Sequence, residues 1–406
     1  MTTAFAAPFA YADFRRLQFA RIGAIVATQA QGTAVAWDVL QRTHRPLDLG
    51  YVGLAQFAPI AGLSLIAGHA ADRFDRRRLL AVVYVVFALV AGALFLYSRS
   101  GAAPVWPIYA ILFVHATARS FGQPASSALL PDVVPAETFE RAVAWGSSLW
   151  QASTIVGPIL GGILVAWLGA PAVFAFAGVL SFAAAAQTVR MTRPPSRARE
   201  RNVSLQSVLA GVRYVWSHEV ILGSISLDLF AVLLGGATAL LPVFADLLHT
   251  GSWGLGLLRG APGAGAALSG IWLAYRPLPR RAGVTMFACV AGFGLATVGF
   301  ALSHNFVLSL VLLFVTGATD MVSVVVRQTL LQIRTPPEMR GRVSAVNLVF
   351  VGASNELGEF ESGVTGQWWG ARGATLVGGI GTLAVVGIGM VLFPELRKVD
   401  RLDDPR

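Results

Sequence analysis

The chain has 406 residues, of which 55% are hydrophobic and only 13% are charged. A soluble globular chain carries about twice that charged fraction, and the mean hydropathy of +0.65 is high for a soluble enzyme of this size. This composition excludes a soluble protein, a disordered chain and a disulfide scaffold. It leaves room for about twelve membrane helices of roughly 20 apolar residues each, joined by short loops.

Twelve hydrophobic segments follow one another along the chain, and each is long enough to cross a bilayer as a helix. Strands of a membrane barrel are not expected, because the segments are long and continuous and lack alternation of apolar and polar residues. The predicted segments are 17–40, 49–71, 79–98, 104–126, 143–168, 171–190, 219–248, 253–275, 283–303, 306–329, 343–367 and 371–393.

The predicted fold is an all-α membrane protein with twelve transmembrane helices in two pseudo-symmetric six-helix halves. The longest loop contains five arginines and indicates a cytoplasmic linker between the halves. The predicted boundaries are 1–190 for the first half, 191–213 for the linker, 214–396 for the second half and 397–406 for a cytoplasmic tail.

A repeat in the sequence supports the two halves. When the chain is shifted by 201 residues, a proline, a glutamate and an arginine of one loop fall on identical residues of a later loop. Parallel repeats of this kind are typical of secondary transporters. The matched pairs are Pro135 with Pro336, Glu137 with Glu338, and Arg141 with Arg342.

The basic residues are unevenly distributed between the two sides of the predicted membrane. With the N-terminus inside, 24 of the 31 lysines and arginines lie on cytoplasmic ends and loops, and four lie on outer loops. The positive-inside rule therefore predicts that both termini are cytoplasmic. Because the net charge of +10 is dispersed over every inner loop, it does not indicate a nucleic-acid-binding surface.

The loop after the second segment runs from Gly68 to Arg78 and has the sequence GHAADRFDRRR. It resembles the Gly-x-x-x-Asp-Arg-x-x-Arg-Arg loop between the second and third helices of the major facilitator superfamily. A carboxylate here can lie against a helix N-terminus or pair with an arginine, and so hold one conformational state. The alternative is a plain positively charged inner loop. The predicted latch residues are Gly68, Asp72, Arg73, Arg76 and Arg77.

The fifth segment contains Gly157, Pro158, Gly161 and Gly162. This spacing is similar to the Gly-Pro-x-x-Gly-Gly antiporter motif of exporters in the same superfamily. Glycines at this spacing let a neighbouring helix pack closely, and the proline bends the helix by removing a backbone donor. The alternative is an ordinary glycine-rich packing face.

Several polar residues fall within predicted spans, where a charge normally faces a cavity or a partner. Arg119 resembles the buried arginine of the family's fourth helix, and the 201-residue shift lays it over Asp320. The two opposite charges either face one central cavity or belong to two local pairs. Arg327 is expected near the inner face, where a long side chain can snorkel. The further candidates for a substrate cavity are Gln29, Gln31, His115 and Asp38; structural roles for His115 and Asp38 are the alternative.

Three glutamates lie within six residues of the eleventh segment. Glu356 and Glu359 share a helix face, whereas Glu361 points elsewhere. Two carboxylates held close in a low dielectric titrate as a coupled pair, which is what a proton-coupling site requires. We therefore predict that these three glutamates, together with Asp228 of the seventh segment, are proton-coupling residues. The alternative is that the glutamates join helices.

The resemblance extends over the whole chain. The sequence GQPA at 122–125, followed by LLPDVVP at 129–135, is similar to the branch of siderophore (enterobactin) and macrolide exporters. The resemblance implies a monomeric exporter of the plasma (inner) membrane that moves a small amphipathic molecule, a drug or a siderophore, by alternating access and proton antiport. A proton-coupled importer, or a receptor or scaffold with this fold, is the alternative.

The expected partners are the small-molecule substrate, protons and the lipid bilayer, with no nucleic acid. No phosphate-binding loop, zinc-protease motif or serine-hydrolase motif occurs in the sequence. We therefore expect no enzyme activity, no cofactor and no metal site.

Overall fold

The computed structural model describes residues 7–192, 205–276 and 281–400 of the chain. Within these ranges the protein is helical and contains no strand. Seven helical stretches of the described chain are long and apolar enough to cross a membrane, judged by length and composition. The side chains of residues 64–66, 68, 69, 71–73 and 205–208 lie outside the described part.

The helices of the first part of the chain follow the predicted segments closely. Short polar or glycine-containing turns separate them, and prolines stand at the first positions of several. These helices are α1 (Ala12–Thr43), α2 (Pro46–Arg73), α3 (Arg76–Arg99), α4 (Trp106–Leu129), α5 (Ala136–Leu168) and α6 (Ala170–Val189).

The later helices differ from the predicted segments at three places. The seventh segment is interrupted at Gly236, where the backbone leaves helical geometry. A separate helix, α7, begins inside the predicted linker, and the last two segments form one helix that is kinked at Gly370. These helices are α7 (Leu205–Ser217), α8 (Glu219–Gly235), α9 (Leu241–Leu247), α10 (Gly251–Tyr275), α11 (Ala282–Leu302), α12 (Phe306–Arg334), α13 (Pro337–Leu392) and α14 (Pro394–Arg397).

The chain divides into two compact units that exchange short segments of sequence. Helix α2 begins in the second unit and ends in the first, whereas α10 begins in the first unit and ends in the second. The predicted half boundaries stay a prediction. The first unit takes in Met1–Thr43, Ala58–Val203 and Gly251–Gly260, and the second takes in His44–Phe57, Ser204–Thr250 and Ala261–Arg406.

The core of the first unit lies where α1, α3, α4 and α6 meet. Large side chains such as Phe14, Leu17 and Leu80 are fully or almost fully buried there. Alanines at Ala20 and Ala24 are buried beside them. Small residues let membrane helices approach closely, so that van der Waals packing holds the helices together where lipid offers no hydrophobic driving force.

The core of the second unit is built mainly by α8, α11, α12 and α13. Met286 and Phe287 are fully buried in it, together with Leu396 of α14. The chain after α14 stays attached, because the backbone N–H of Gly283 donates to the carbonyl of Val399 at 3.1 Å. This core fixes the positions of α8 and α12, which carry the charged residues described next.

Candidate functional site

A buried ion pair joins two helices of the second unit. The carboxylate of Asp228 on α8 contacts the guanidinium of Arg327 on α12. The residues are only 5% and 2% exposed. Charges inside a membrane protein are expensive unless they are paired, so the pair ties the two helices together and places two opposite charges at the same depth.

A second carboxylate lies beside this pair. Asp320, Ser323 and Arg327 are three, four and seven residues apart on α12, which puts them along one helix face. Asp320 and Ser323 line a small cavity together with Asp228. The rest of its lining is mostly apolar and includes Val290 of α11. The site thus combines two carboxylates, one guanidinium and one hydroxyl in an apolar surrounding.

The sequence identified part of this cluster and missed part of it. Asp228 and Asp320 were candidates, although for different roles. Arg327 was expected to snorkel to the inner face, but its side chain is buried, because Asp228 provides a partner within the unit. Ser323 and Cys289 line the cavity and were not candidates. The helical spacing of Asp320, Ser323 and Arg327 is the sequence signal from which a shared face could have been predicted.

The glutamate segment of α13 meets the first turns of α2 in the same unit. A Cβ atom added at Gly53 would lie 2.8 Å from the Cβ of Glu359 and 3.1 Å from the carbonyl oxygen of Glu356. A Cβ atom added at Gly50, one turn earlier on α2, would lie 3.1 Å from the Cα of Gly363. The structure therefore brings the turn that holds Glu356 and Glu359 against a glycine pair of α2.

Another face of the same segment packs on α8. Gly358 faces the carbonyls of Val232 and Leu233, and the hydroxyl of Ser362 donates to the carbonyl of Gly236 at 2.7 Å. Glu361 is half-buried beside Ser362. Whether any of the three glutamates exchanges protons stays a prediction.

Arg119 and His115 lie one turn apart on α4 in the first unit. His115 is 3% exposed, and its ring packs on Phe87 with a centroid separation of 4.3 Å. The Arg119 side chain is exposed. The contact with Phe87 gives His115 a packing role. The predicted position of Arg119 opposite Asp320 stays a prediction.

The polar candidates on α1 have three different surroundings. Gln31 is buried, at 4% exposure, and Gln29 packs with its side chain on Gly157 of α5. Asp38 forms an ion pair with Arg42, one turn further along, at 3.0 Å. Asp38 thus has a local partner near the end of α1, and its predicted place in a substrate cavity stays a prediction.

The glycine-proline motif of α5 packs against two other helices of the first unit. A Cβ atom added at Gly161 would lie 2.8 Å from the Cα of Ala30 on α1. One added at Gly162 would lie 2.8 Å from the Cα of Gly256 on α10. Pro158 stands inside α5, and its carbonyl faces Gly256. The motif therefore brings α1 and α10 within backbone contact of α5.

The arginines of the predicted latch connect three elements of the first unit. Asp75 caps α3 by accepting from the backbone N–H groups of Arg77 and Arg78. Arg76 forms an ion pair with Asp132 at 3.1 Å, and Arg77 donates to the carbonyl of Met191. The side chains of Gly68, Asp72 and Arg73 lie outside the described residues, and the latch stays a prediction.

A sequence model described as Major Facilitator Superfamily matches residues 18–359. The chain belongs to this superfamily. It is therefore a multi-pass membrane transporter of small molecules and not an enzyme, and the predicted fold class is confirmed.

Curated members of the superfamily resemble the chain over almost its full length. Enterobactin exporter EntS of Citrobacter koseri is 26% identical over 386 residues, which cover 95% of this chain and 92% of that protein. Enterobactin exporter EntS of Shigella boydii is 26% identical over 371 residues, which cover 91% and 85%. The predicted resemblance to siderophore exporters is confirmed.

A solved structure of the superfamily has the same fold. The bacterial homolog of the human lysosomal transporter Spinster, in an inward-facing and occupied conformation, superposes with a TM-score of 0.74. The match covers 96% of this chain and 97% of that one at 14% sequence identity. At this identity the likeness supports the fold alone.

Proposed function

We propose that this transporter is a proton-coupled exporter of a small amphipathic molecule of the siderophore class. The observation that carries the proposal is the 26% identity to enterobactin exporters across 95% of the chain. A likeness that spans both units favours a common transport direction and a chemically similar substrate. The antiporter-like motif at Gly157–Gly162 is in agreement with export.

The proposed setting is the plasma (inner) membrane, with both termini in the cytoplasm and one chain as the working unit. The 24 basic residues on predicted inner ends and loops support this orientation. Substrate would bind near the bilayer midplane, as in other transporters built from repeats. Access would alternate between the two sides.

Ionisable groups in the spans support coupling to protons. Glu356 and Glu359 lie within a predicted span on α13, which packs on α8. A carboxylate that binds a proton loses its charge, and its preference for each conformation changes with it. Only such differential binding to two states allows a proton gradient to drive transport.

Reconstitution tests the proposal. Proteoliposomes that contain the full chain and a pH-sensitive dye receive a pH gradient and then enterobactin. Export by antiport predicts that substrate and protons move in opposite directions. Movement of both in the same direction would identify an importer, and siderophore movement without any proton signal would contradict coupling.

Matched variants test the glutamates in the same assay. Glu356→Gln and Glu359→Gln are expected to remove gradient-driven flux while leaving the thermal unfolding of the protein unchanged. Glu395→Gln is the control, because Glu395 lies exposed on α14 and pairs with Lys398 outside the spans. Full flux in both span variants would defeat the assignment of these residues.

A further inference from the structure

We propose that Asp320, Asp228 and Arg327 form a one-proton site in the second unit, in which Asp320 carries the proton. Arg327 and Asp228 act as a charged pair that fixes the position of the site. Its part in transport rests on the proposed function, whereas its chemistry rests on the described residues of α8, α11 and α12.

The charge balance of the cluster requires one further positive charge. Two carboxylates line a small cavity whose other lining is mostly apolar, and one guanidinium contacts the carboxylate of Asp228. The guanidinium stays protonated in proteins, so the fully charged cluster carries one net negative charge. An uncompensated buried charge is costly, and a single bound proton makes the cluster neutral.

Geometry assigns that proton to Asp320. The guanidinium of Arg327 contacts the carboxylate of Asp228, which favours the charged form of that carboxyl group. The backbone of Asp320 lies seven residues from that of Arg327, which is a rise of about 10 Å along the axis of α12. Ser323, 2% exposed and one turn from Asp320, has no hydrogen-bond partner for its hydroxyl among the described residues. A hydroxyl there can accept a hydrogen bond from a protonated carboxyl group.

The neighbouring helices do not alter this balance. Helix α11 adds Cys289 and apolar side chains to the cavity, and the part of α10 that packs on α12, at Gly265 and Gly270, carries no charged residue. Val386 and Thr382 of α13 pack on α8 close to Asp228 and are uncharged, and α14 meets α8 at Glu219, nine residues before Asp228. Further uncharged contacts of α13 with α8 are made by Gly358, Ser362 and Gly378.

A proton fits the site better than a metal ion does. Hard cations such as Ca²⁺ take six or more oxygen ligands, and the cavity lining provides two carboxylates and one hydroxyl. No group of three or more His, Cys, Asp or Glu residues within the described ranges is arranged to hold a metal. The site is therefore suited to a ligand that needs one or two oxygen atoms.

Infrared difference spectroscopy of the purified full-length protein tests the site without any substrate. A pH titration should show, beside any bands of the α13 glutamates, a C=O stretching band for the buried protonated carboxyl group of Asp320, which shifts in D₂O and is lost in one step. Asp320→Asn should remove this band, whereas Glu395→Gln should leave it unchanged. Absence of the band from the wild type, or its survival in Asp320→Asn, would overturn the proposal.

Two further variants keep the proposal testable if Asp320→Asn does not fold. Asp320→Glu should keep the band at a changed frequency and midpoint, and an unaltered band would show that another residue holds the proton. The double variant Asp228→Asn with Arg327→Gln removes one charge of each sign, so Asp320 should still titrate. Loss of the band in this double variant, with the fold retained, would assign the proton to Asp228 instead.

Flux measurements separate this site from the proposed function. If wild-type proteoliposomes move siderophore with no proton signal, coupling fails although the infrared band remains. If siderophore and proton fluxes are coupled in the wild type and equally well in Asp320→Asn, the site has no part in transport although the exporter proposal stands.

Discussion

Gly169 and Gly370 have the same unusual backbone conformation, 201 residues apart in the chain. Their φ angles are 80° and 71°, and their ψ angles are 168° and 163°. This region of backbone space is open almost solely to glycine. Gly169 separates α5 from α6, and Gly370 separates the two arms of α13. The repeat seen in the sequence therefore extends to the backbone geometry of one matched turn.

Alanine at these two glycines should destabilise the protein through backbone strain. Gly370→Ala isolates that effect, because nothing lies within 4 Å of the added Cβ atom. We expect a loss of about 1–3 kcal/mol in the free energy of unfolding, measured by thermal unfolding in detergent. Gly387→Ala is the control, since it has equal space and lies inside a regular helix. Equal stability of Gly370→Ala and the wild type would contradict the strained turn.

Alanine at Gly162 should destabilise the protein by crowding between helices and not by backbone strain. Its Cα approaches Gly256 so closely that an added methyl group needs α5 and α10 to separate. Overpacking of this kind costs about 1–3 kcal/mol, and we expect a lower unfolding temperature for Gly162→Ala. Gly352→Ala in α13, with nothing within 4 Å, provides the comparison. A Gly162→Ala protein as stable as this control would argue against the close helix contact.

The buried ion pair predicts a strongly non-additive response. Arg327→Met leaves Asp228 without its guanidinium partner, and breaking a buried pair costs about 3–5 kcal/mol. Adding Asp228→Asn should recover most of that loss, because no unpaired charge remains at the contact. Thermal unfolding of both single variants and the double variant gives the coupling energy. Additive losses would show that the two side chains do not act as a pair.

In the first unit, the ion pair between Arg76 and Asp132 also predicts a loss of stability when it is removed. Arg76→Ala removes the ion pair with Asp132 and the hydrogen bond to the carbonyl of Ala128. Hydrogen bonds to charged groups contribute about 1.5–3 kcal/mol, so a clear drop in stability is expected. Arg78→Ala should change stability little, since Arg78 is exposed and its Nε atom lies 3.7 Å from the carboxylate of Asp75. Similar losses in the two variants would indicate general charge effects.

Much of the fold followed from local information. Runs of about 20 apolar residues predict membrane helices without knowledge of their neighbours, and the structure forms helices at the twelve predicted segments. The seventh segment shows the limit of this approach. Its hydropathy is continuous, but the chain leaves helical geometry at Gly236, where Ser362 of α13 binds the freed carbonyl. That partner lies 126 residues away, so periodicity carries no sign of it.

Part of the candidate site could likewise be predicted from the sequence, and part could not. Sequence reasoning selected Asp228 and Asp320, because an acid inside an apolar span is conspicuous wherever it points. It placed Arg327 at the membrane surface, since a long side chain near a helix end has that option. The choice between the surface and a partner depends on which helix packs beside α12, which is a tertiary fact.

The amino-acid sequence alone determined that the chain is a twelve-helix membrane protein built from a repeat, since hydropathy and internal similarity are local or periodic properties. Basic residues on one side of the spans gave the predicted orientation for the same reason. The tertiary structure decided which charges meet. It paired Asp228 with Arg327, set Asp320 in the same small cavity, and brought Glu359 against Gly53. These relations depend on the approach and rotation of helices, which are set by packing across the unit.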